Sequence, residues 1–218
     1  MGTFTGPDIV TDGLIFAVDA GSTRSYPGSG TTTTSLVGLS TGTLSNGVAY
    51  VSGNGGSWDF DGVDDFIDTT FTLPAGDRSM EFWVYYNTLT STAGNGYSLM
   101  GVQQGADKYL YSGIQSNGSG YSYAGNTGGA YSYTFSAATW YHIVLAMGSG
   151  TSRNYVNGEQ VATRTYTASA ASTTEVMIGA INQSHEIDGL VPLTRVYNKE
   201  LSAAEVTQNY NAQKSRFL

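Results

Sequence analysis

Two neighbouring stretches decide the fold: Trp140-Tyr141-His142-Ile143-Val144-Leu145-Ala146-Met147 and Asn154-Tyr155-Val156-Asn157-Gly158-Glu159-Gln160-Val161. The first is a short apolar run rich in aromatic and aliphatic residues, and both of its alternating faces are apolar enough to be sheltered inside a protein. The second places Asn157-Gly158 between strand-forming residues. An Asn-Gly pair there favours a tight type I′ hairpin, because both central positions accept positive φ. Together they read as antiparallel strands at the centre of a β protein.

Working outward, Met80-Glu81-Phe82-Trp83-Val84-Tyr85-Tyr86 reads as a second long central strand. Leu14-Ile15-Phe16-Ala17-Val18 is the first clear strand, stopped by Asp19-Ala20-Gly21. In Trp58-Asp59-Phe60-Asp61 the alternation puts both aromatics on one face, and Phe66-Ile67 follows after a tight acidic turn. Further strands fit Val176 to Ala180 and Leu190 to Tyr197, whereas residues 22–57 are rich in Gly, Ser and Thr, with weak strand signals near Leu44 and Val48 to Val51. One helix is predicted, from about Ala203 toward Gln213. Ser202-Ala203-Ala204-Glu205 forms a capping box, and Leu201 and Val206 occupy the two positions of a hydrophobic staple.

Composition supports the same class. Among 218 residues there are 29 glycines and 16 tyrosines, and only 12% are charged. Tyrosine and β-branched residues suit a pleated, half-buried surface, while Gly, Asn, Asp and Ser supply turns. A net charge of −8 repels phosphate backbones and anionic membrane surfaces, so neither nucleic acid nor membrane is an expected partner. The chain has no cysteine, which removes disulfides and thiolate chemistry. No apolar run approaches a membrane span, and the start shows no secretory signal. Residues 1–12 read as an N-terminal arm and 13–218 as one domain.

The ordered motifs resemble a known family. They are Pro7-Asp8-Ile9-Val10-Thr11-Asp12-Gly13-Leu14 leading into Val18-Asp19-Ala20-Gly21, then Phe60-Asp61-Gly62-Val63-Asp64-Asp65-Phe66-Ile67, Trp140-Tyr141-His142, Tyr155-Val156-Asn157-Gly158, and Arg195-Val196-Tyr197-Asn198-Lys199-Glu200-Leu201-Ser202. In this order they resemble the laminin-G-like members of the concanavalin A-like lectin/glucanase superfamily, in the version found in virion structural proteins of tailed phages. The resemblance implies an all-β, two-sheet antiparallel jelly-roll sandwich with a short C-terminal helix. It also implies a virion setting: a capsid decoration or tail appendage on the particle surface, made in the host cytoplasm. Such a subunit would be a homo-oligomer contacting other virion proteins through the arm or the C-terminal helix. A stand-alone carbohydrate-binding lectin module is the alternative. One departure is visible: where the phage-type pattern carries Asp-Leu-Ser-Gly-Asn-Gly, this chain has Ser35-Leu36-Val37-Gly38, so a calcium site on that loop loses its Asp.

The superfamily includes glucanases, and glycoside hydrolysis needs two carboxyl groups at a set separation. The single Glu-x-Asp, Glu186-Ile187-Asp188, continues Gly189-Leu190-Val191 without a second Glu, so the chain is expected not to be an enzyme. No Gly-x-Ser-x-Gly elbow or phosphate-binding glycine motif is completed. His142 reads as a packing histidine beside Trp140. The acidic group Asp59, Asp61, Asp64, Asp65 and Asp68 could hold Ca²⁺, with Asp19, Asp61 and Asp64 as the candidate ligands; Asx-type turns at Asp61-Gly62 and Asp64-Asp65 are the simpler and favoured reading. Tyr121 and Tyr123 share a face of one strand, as do Tyr131 and Tyr133 of the next. A hairpin centred on Thr127 would set Tyr121 opposite Tyr133 and Tyr123 opposite Tyr131. That makes either a four-ring platform for cell-surface glycans or a core or oligomer contact.

Overall fold

Short alternating runs and many positive-φ glycines produce strands joined by tight turns, as the computed structural model shows. It describes residues 8–89, 97–103, 109–115, 117–167, 172, 174–181 and 185–218. The first half of the chain contributes β1 (Leu14–Asp19), β2 (Thr32–Thr34), β3 (Thr41–Ser45), β4 (Ala49–Val51), β5 (Ser57–Asp61), β6 (Phe66–Thr72), β7 (Arg78–Tyr86) and β8 (Tyr97–Gln103). The second half contributes β9 (Tyr109–Ile114), β10 (Ser119–Gly125), β11 (Thr127–Thr134), β12 (Thr139–Gly148), β13 (Thr151–Val156), β14 (Glu159–Thr165), β15 (Glu175–Ile178), β16 (Asp188–Tyr197) and α1 (Ala203–Phe217).

Two antiparallel sheets face each other. One runs β14-β13-β12-β7-β16-β5-β4, with β1 also paired to β16; the other runs β11-β10-β9-β8-β15-β6-β3-β2. The expected jelly-roll sandwich with a C-terminal helix is what forms. β16 pairs with β5 along its first half and β1 along its second. The changeover coincides with an irregularity between Leu190 and Leu193, where Pro192, lacking an N–H, escapes the ladder. Asn157 and Gly158 take φ of 52° and 85°, the positive values a type I′ hairpin needs. Between the sheets lie Phe16, Trp58, Phe60, Phe82, Ile143 and Ile178, all essentially inaccessible. Each such side chain contributes roughly 1.5–3 kcal/mol of burial.

The low-complexity stretch 22–57 holds three strands, β2, β3 and β4, that its own sequence signals only weakly. Long-range contacts make them: β3 pairs with β6, and β4 with β5. The helix also extends further than its sequence suggests. Val206, Asn209, Tyr210, Gln213 and Phe217 recur at helical spacing, and the Phe217 ring packs on Trp83 at 4.5 Å and Trp140 at 4.8 Å. That aromatic anchor holds the last turn, which would otherwise fray. At the other end the capping box is present, and Leu201 and Val206 meet in one buried cluster.

Helix α1 covers the outer face of the first sheet, over a buried polar knot. The Glu81 carboxylate is fully inaccessible. Its Oε1 accepts from Arg195 Nη1 (2.9 Å) and His142 Nε2 (3.0 Å), and its Oε2 from Tyr197 Oη (3.1 Å) and Asn209 Nδ2 (2.7 Å). Burial alone would raise its pKa, but Arg195, His142 and Tyr197 outweigh it and hold the carboxyl at about 2. Asn209 Oδ1 in turn accepts Val10 N–H (2.7 Å), so residues 8–12 of the expected arm lie packed beside α1. Residues 1–7 are outside the described part of the chain.

Candidate glycan-binding face and acidic rim

The second sheet turns its outer face to solvent. Across β15, β8, β9, β10 and β11 the register aligns Met177, Gly101, Tyr111, Tyr123 and Gly128 in one row. Directly opposed residues of neighbouring strands point to the same side, so this row lies on one face of the sheet; Ile181 covers it at the buried Gly101, and its open part is Tyr111, Tyr123 and Gly128. The next row aligns Gly113, Tyr121 and Ala130. Three half-buried tyrosines therefore cluster: Tyr111 lies 5.5 Å from Tyr123 and, nearly parallel, 6.1 Å from Tyr121 between ring centroids. Glycine makes the strip flat. A Cβ on Gly128 would lie 2.0 Å from Tyr123 Cδ2, so that ring rests directly on the glycine backbone. Arg164 of β14 braces the hairpin below by donating to the carbonyls of Gly129 (3.1 Å) and Ala130 (2.9 Å).

The four-tyrosine arrangement expected from the sequence is corrected here. The hairpin turns at Gly125-Asn126, Gly125 having φ of 60°, and Ala124 pairs with Thr127. Tyr121 thus faces Ala130 and Tyr123 faces Gly128. The shift is an odd number of residues, which swaps the two faces of β11. Tyr131 and Tyr133 consequently point between the sheets. Tyr131 is 6% exposed and lies against Gly120, where a Cβ would come within 2.1 Å of its ring. Tyr133 packs on Phe135 at 4.8 Å. Burial raises the pKa of both phenols. The surface cluster keeps Tyr121 and Tyr123 and gains Tyr111, whose only sequence signal is its place beside the inward-facing Leu110.

Beyond Gly101 and Met177 the face becomes acidic. Asp68 sits opposite Met177, and Glu175 lies on the same strand edge. Burial, then the Glu175 charge, raises the Asp68 pKa.

The second candidate lies at the β5–β6 turn. Asp61, Asp64 and Asp65 bring carboxylate oxygens within 4.8 Å of one another. Asp61 Oδ1 accepts Val63 N–H at 2.9 Å, the Asx turn expected for this motif, and Asp65 Oδ2 accepts Asp61 N–H at 3.1 Å. Asp59, Asp61, Asp65 and Asp188 line one cavity of about 270 Å³ with Gly47, Ala49, Phe60 and Asn87. Burial above all, then the charges of Asp61, Asp64 and Asp59, pushes the Asp65 carboxyl up to about 6 despite the Asp61 N–H. Burial and Asp188 likewise raise Asp59. Asp19 does not join this cluster. Its carboxylate is held by Arg216 Nη1 at 3.0 and 2.9 Å, and the Ser35 hydroxyl accepts Ala17 N–H and donates to the Val37 carbonyl. Arg216 lies 197 residues from Asp19, which no local reading reveals.

The family model described as the concanavalin A-like lectin/glucanases superfamily matches residues 61–207, more than half of the chain. A comparison with curated protein sequences finds no significant match. Among solved structures, a Trypanosoma rangeli sialidase mutant displaying trans-sialidase activity superposes with a TM-score of 0.73 at 15% identity, over 98% of this chain and 35% of its own. The binding domain of Paraclostridial Mosquitocidal Protein 1 gives 0.71 at 16%, over 92% and 52%. The Botulinum Neurotoxin Type G receptor binding domain gives 0.70 at 15%, over 93% and 52%. The chain thus spans about a third to a half of these proteins, and at such identities they share its fold. With the laminin-G-type match covering both central strands and the β5–β6 turn, the chain belongs to the concanavalin A-like lectin/glucanase superfamily.

Proposed function

We propose that this domain is a non-catalytic glycan-holding module displayed on a phage particle, and that the Tyr111–Tyr121–Tyr123 strip is its contact surface. The observation carrying the proposal is the cluster of three half-buried tyrosine rings on a glycine floor. Such rings offer apolar faces to the C–H side of a sugar and hydroxyls to its rim. Because Asp68 and Glu175 border the strip, the expected ligands are neutral saccharides, whose hydroxyls can donate to carboxylates; sialylated and sulfated glycans would meet like charge. The fold neighbours that are binding domains are compatible with adhesion, and the virion setting rests on the phage-type motifs in Phe60 to Ile67 and Arg195 to Ser202.

A glycan array read with the intact chain and with Tyr121→Ala and Tyr123→Ala tests the surface. Neutral glycans should bind, and each variant should weaken them about tenfold, the scale of one stacking ring. No binding, or binding indifferent to both variants, refutes the glycan surface. Mass spectrometry of purified particles tests the setting; absence of the protein from them refutes it.

A further inference from the structure

The acidic rim poses an electrostatic problem that turn geometry does not answer. Asp59, Asp61, Asp65 and Asp188 share one cavity, and none of its described lining residues is basic. Asp188 takes its hydrogen bonds from the neutral Asn87 Nδ2 (3.0 Å) and Thr88 Oγ1 (2.9 Å). Every other group there is a carboxylate, a neutral side chain or backbone.

The second, independent observation is Asp65 itself. It is only 3% exposed, yet its Oδ1 has no hydrogen-bond partner, while Oδ2 is occupied by Asp61 N–H. A buried carboxylate oxygen without a donor loses hydration without compensation, so such atoms are rare unless something else occupies the space in front of them. The space exists: Gly47 has no side chain, and a Cβ there would stand 3.4 Å from Asp65 Oδ1.

We propose that this cavity is a cation site, with Asp65 Oδ1 as its inner ligand, Asp61 and Asp64 as outer ligands and Asp59 and Asp188 supplying further negative charge. The donor set is all oxygen, which selects a hard divalent ion. An irregular set drawn from a turn and two strand ends suits Ca²⁺, which accepts six to eight oxygens in flexible geometry, better than Mg²⁺, which demands a near-ideal octahedron. The ion would tie the β5–β6 turn to the start of β16. It lies apart from the Asp19–Ser35 region, where the family resemblance would have sought calcium and where Arg216 now fills the role of the cation.

The test is thermal unfolding of the intact chain in EDTA and in 10 mM CaCl2 or MgCl2, with Asp65→Asn and the doubly substituted Asp61→Asn/Asp64→Asn. At 10 mM, calcium in about hundredfold excess over a site with a Kd of about 0.1 mM should raise the Tm of the unaltered protein by about 5 °C, with a smaller effect of magnesium. Both variants should lose this response, and in EDTA Asp65→Asn should melt at or above the unaltered protein, because an unrelieved buried charge has been removed. If Asp65→Asn does not fold, the double variant at exposed positions decides. The proposal is overturned by an absent calcium response in the unaltered protein, or by a full response surviving in either variant.

Discussion

Replacing Glu81 by Gln is the sharpest probe of how the helix is held to the sandwich. Four donors converge on the two carboxylate oxygens, two on each, and all are shielded from water. Glutamine keeps the shape but presents N–H at one end. Whichever way the amide is turned, that end meets two donors, and the buried Arg195 loses its counter-charge. Breaking one side of a buried ion pair costs about 3–5 kcal/mol, a large share of the roughly 5–15 kcal/mol that stabilises a domain. Acidity provides an independent reading. The folded-state pKa of about 2 lies below the ordinary 4.5, so this carboxylate's contribution is complete above pH 4.5 and fades as pH falls through 2. Two to three units correspond to about 3 kcal/mol. Urea titrations followed by tryptophan fluorescence at pH 7, 4.5, 3.5 and 2.5 measure both quantities. The unaltered protein should weaken across that acid range, and Glu81→Gln should be weaker at pH 7 with a shallower acid slope. A variant that loses less than about 1 kcal/mol and keeps the original slope would refute the account of the knot.

Three further outcomes follow from other contacts. Gly120→Ala should destabilise by about 1–3 kcal/mol in chemical denaturation, since its Cβ would strike the buried Tyr131 ring; a neutral result would mean that Tyr131 points elsewhere. Arg216→Ala should cost about 2 kcal/mol and speed hydrogen exchange over residues 53–56, because its guanidinium joins Asp19 to the Asn54 and Gly56 carbonyls. Ser202→Ala should cost about 1 kcal/mol by removing the cap on Glu205 N–H, measurable as a Tm shift of a few degrees.

The sequence is most transparent where structure is local. Asn157-Gly158 specifies its own turn, Ser202 and Glu205 specify their own cap, and the runs around Phe82 and Val144 are apolar enough to be central in any arrangement. It is opaque where partners are distant. β2, β3 and β4 are Thr-, Ser- and Gly-rich pieces that become strands because β5 supplies a ladder to β4, β6 to β3, and β3 in turn to β2. The tyrosine hairpin shows a subtler loss: Gly125-Asn126 is itself a plausible tight turn, but the seven residues from Ala124 to Ala130 offer several centres. Only the need to bury Tyr131 and Tyr133 under the sandwich selects among them. For the acidic rim, the Asp61–Asp65 turn is legible, whereas Asp188 joins it through the β16–β5 pairing. The orphaned oxygen of Asp65 exists only in three dimensions.

Residues 8–12 and helix α1 lie together on the outer face of the first sheet, stitched by Asn209 to Val10 and by Lys199 to Asp12. The tyrosine strip lies on the outer face of the other. A carrier joined near either of those segments would sit behind the sandwich, which would act as a spacer two sheets thick. Sheet centres are about 10 Å apart. Orientation would then come built in: many copies fixed by their backs would all present tyrosines outward, and weak individual contacts would add along the array.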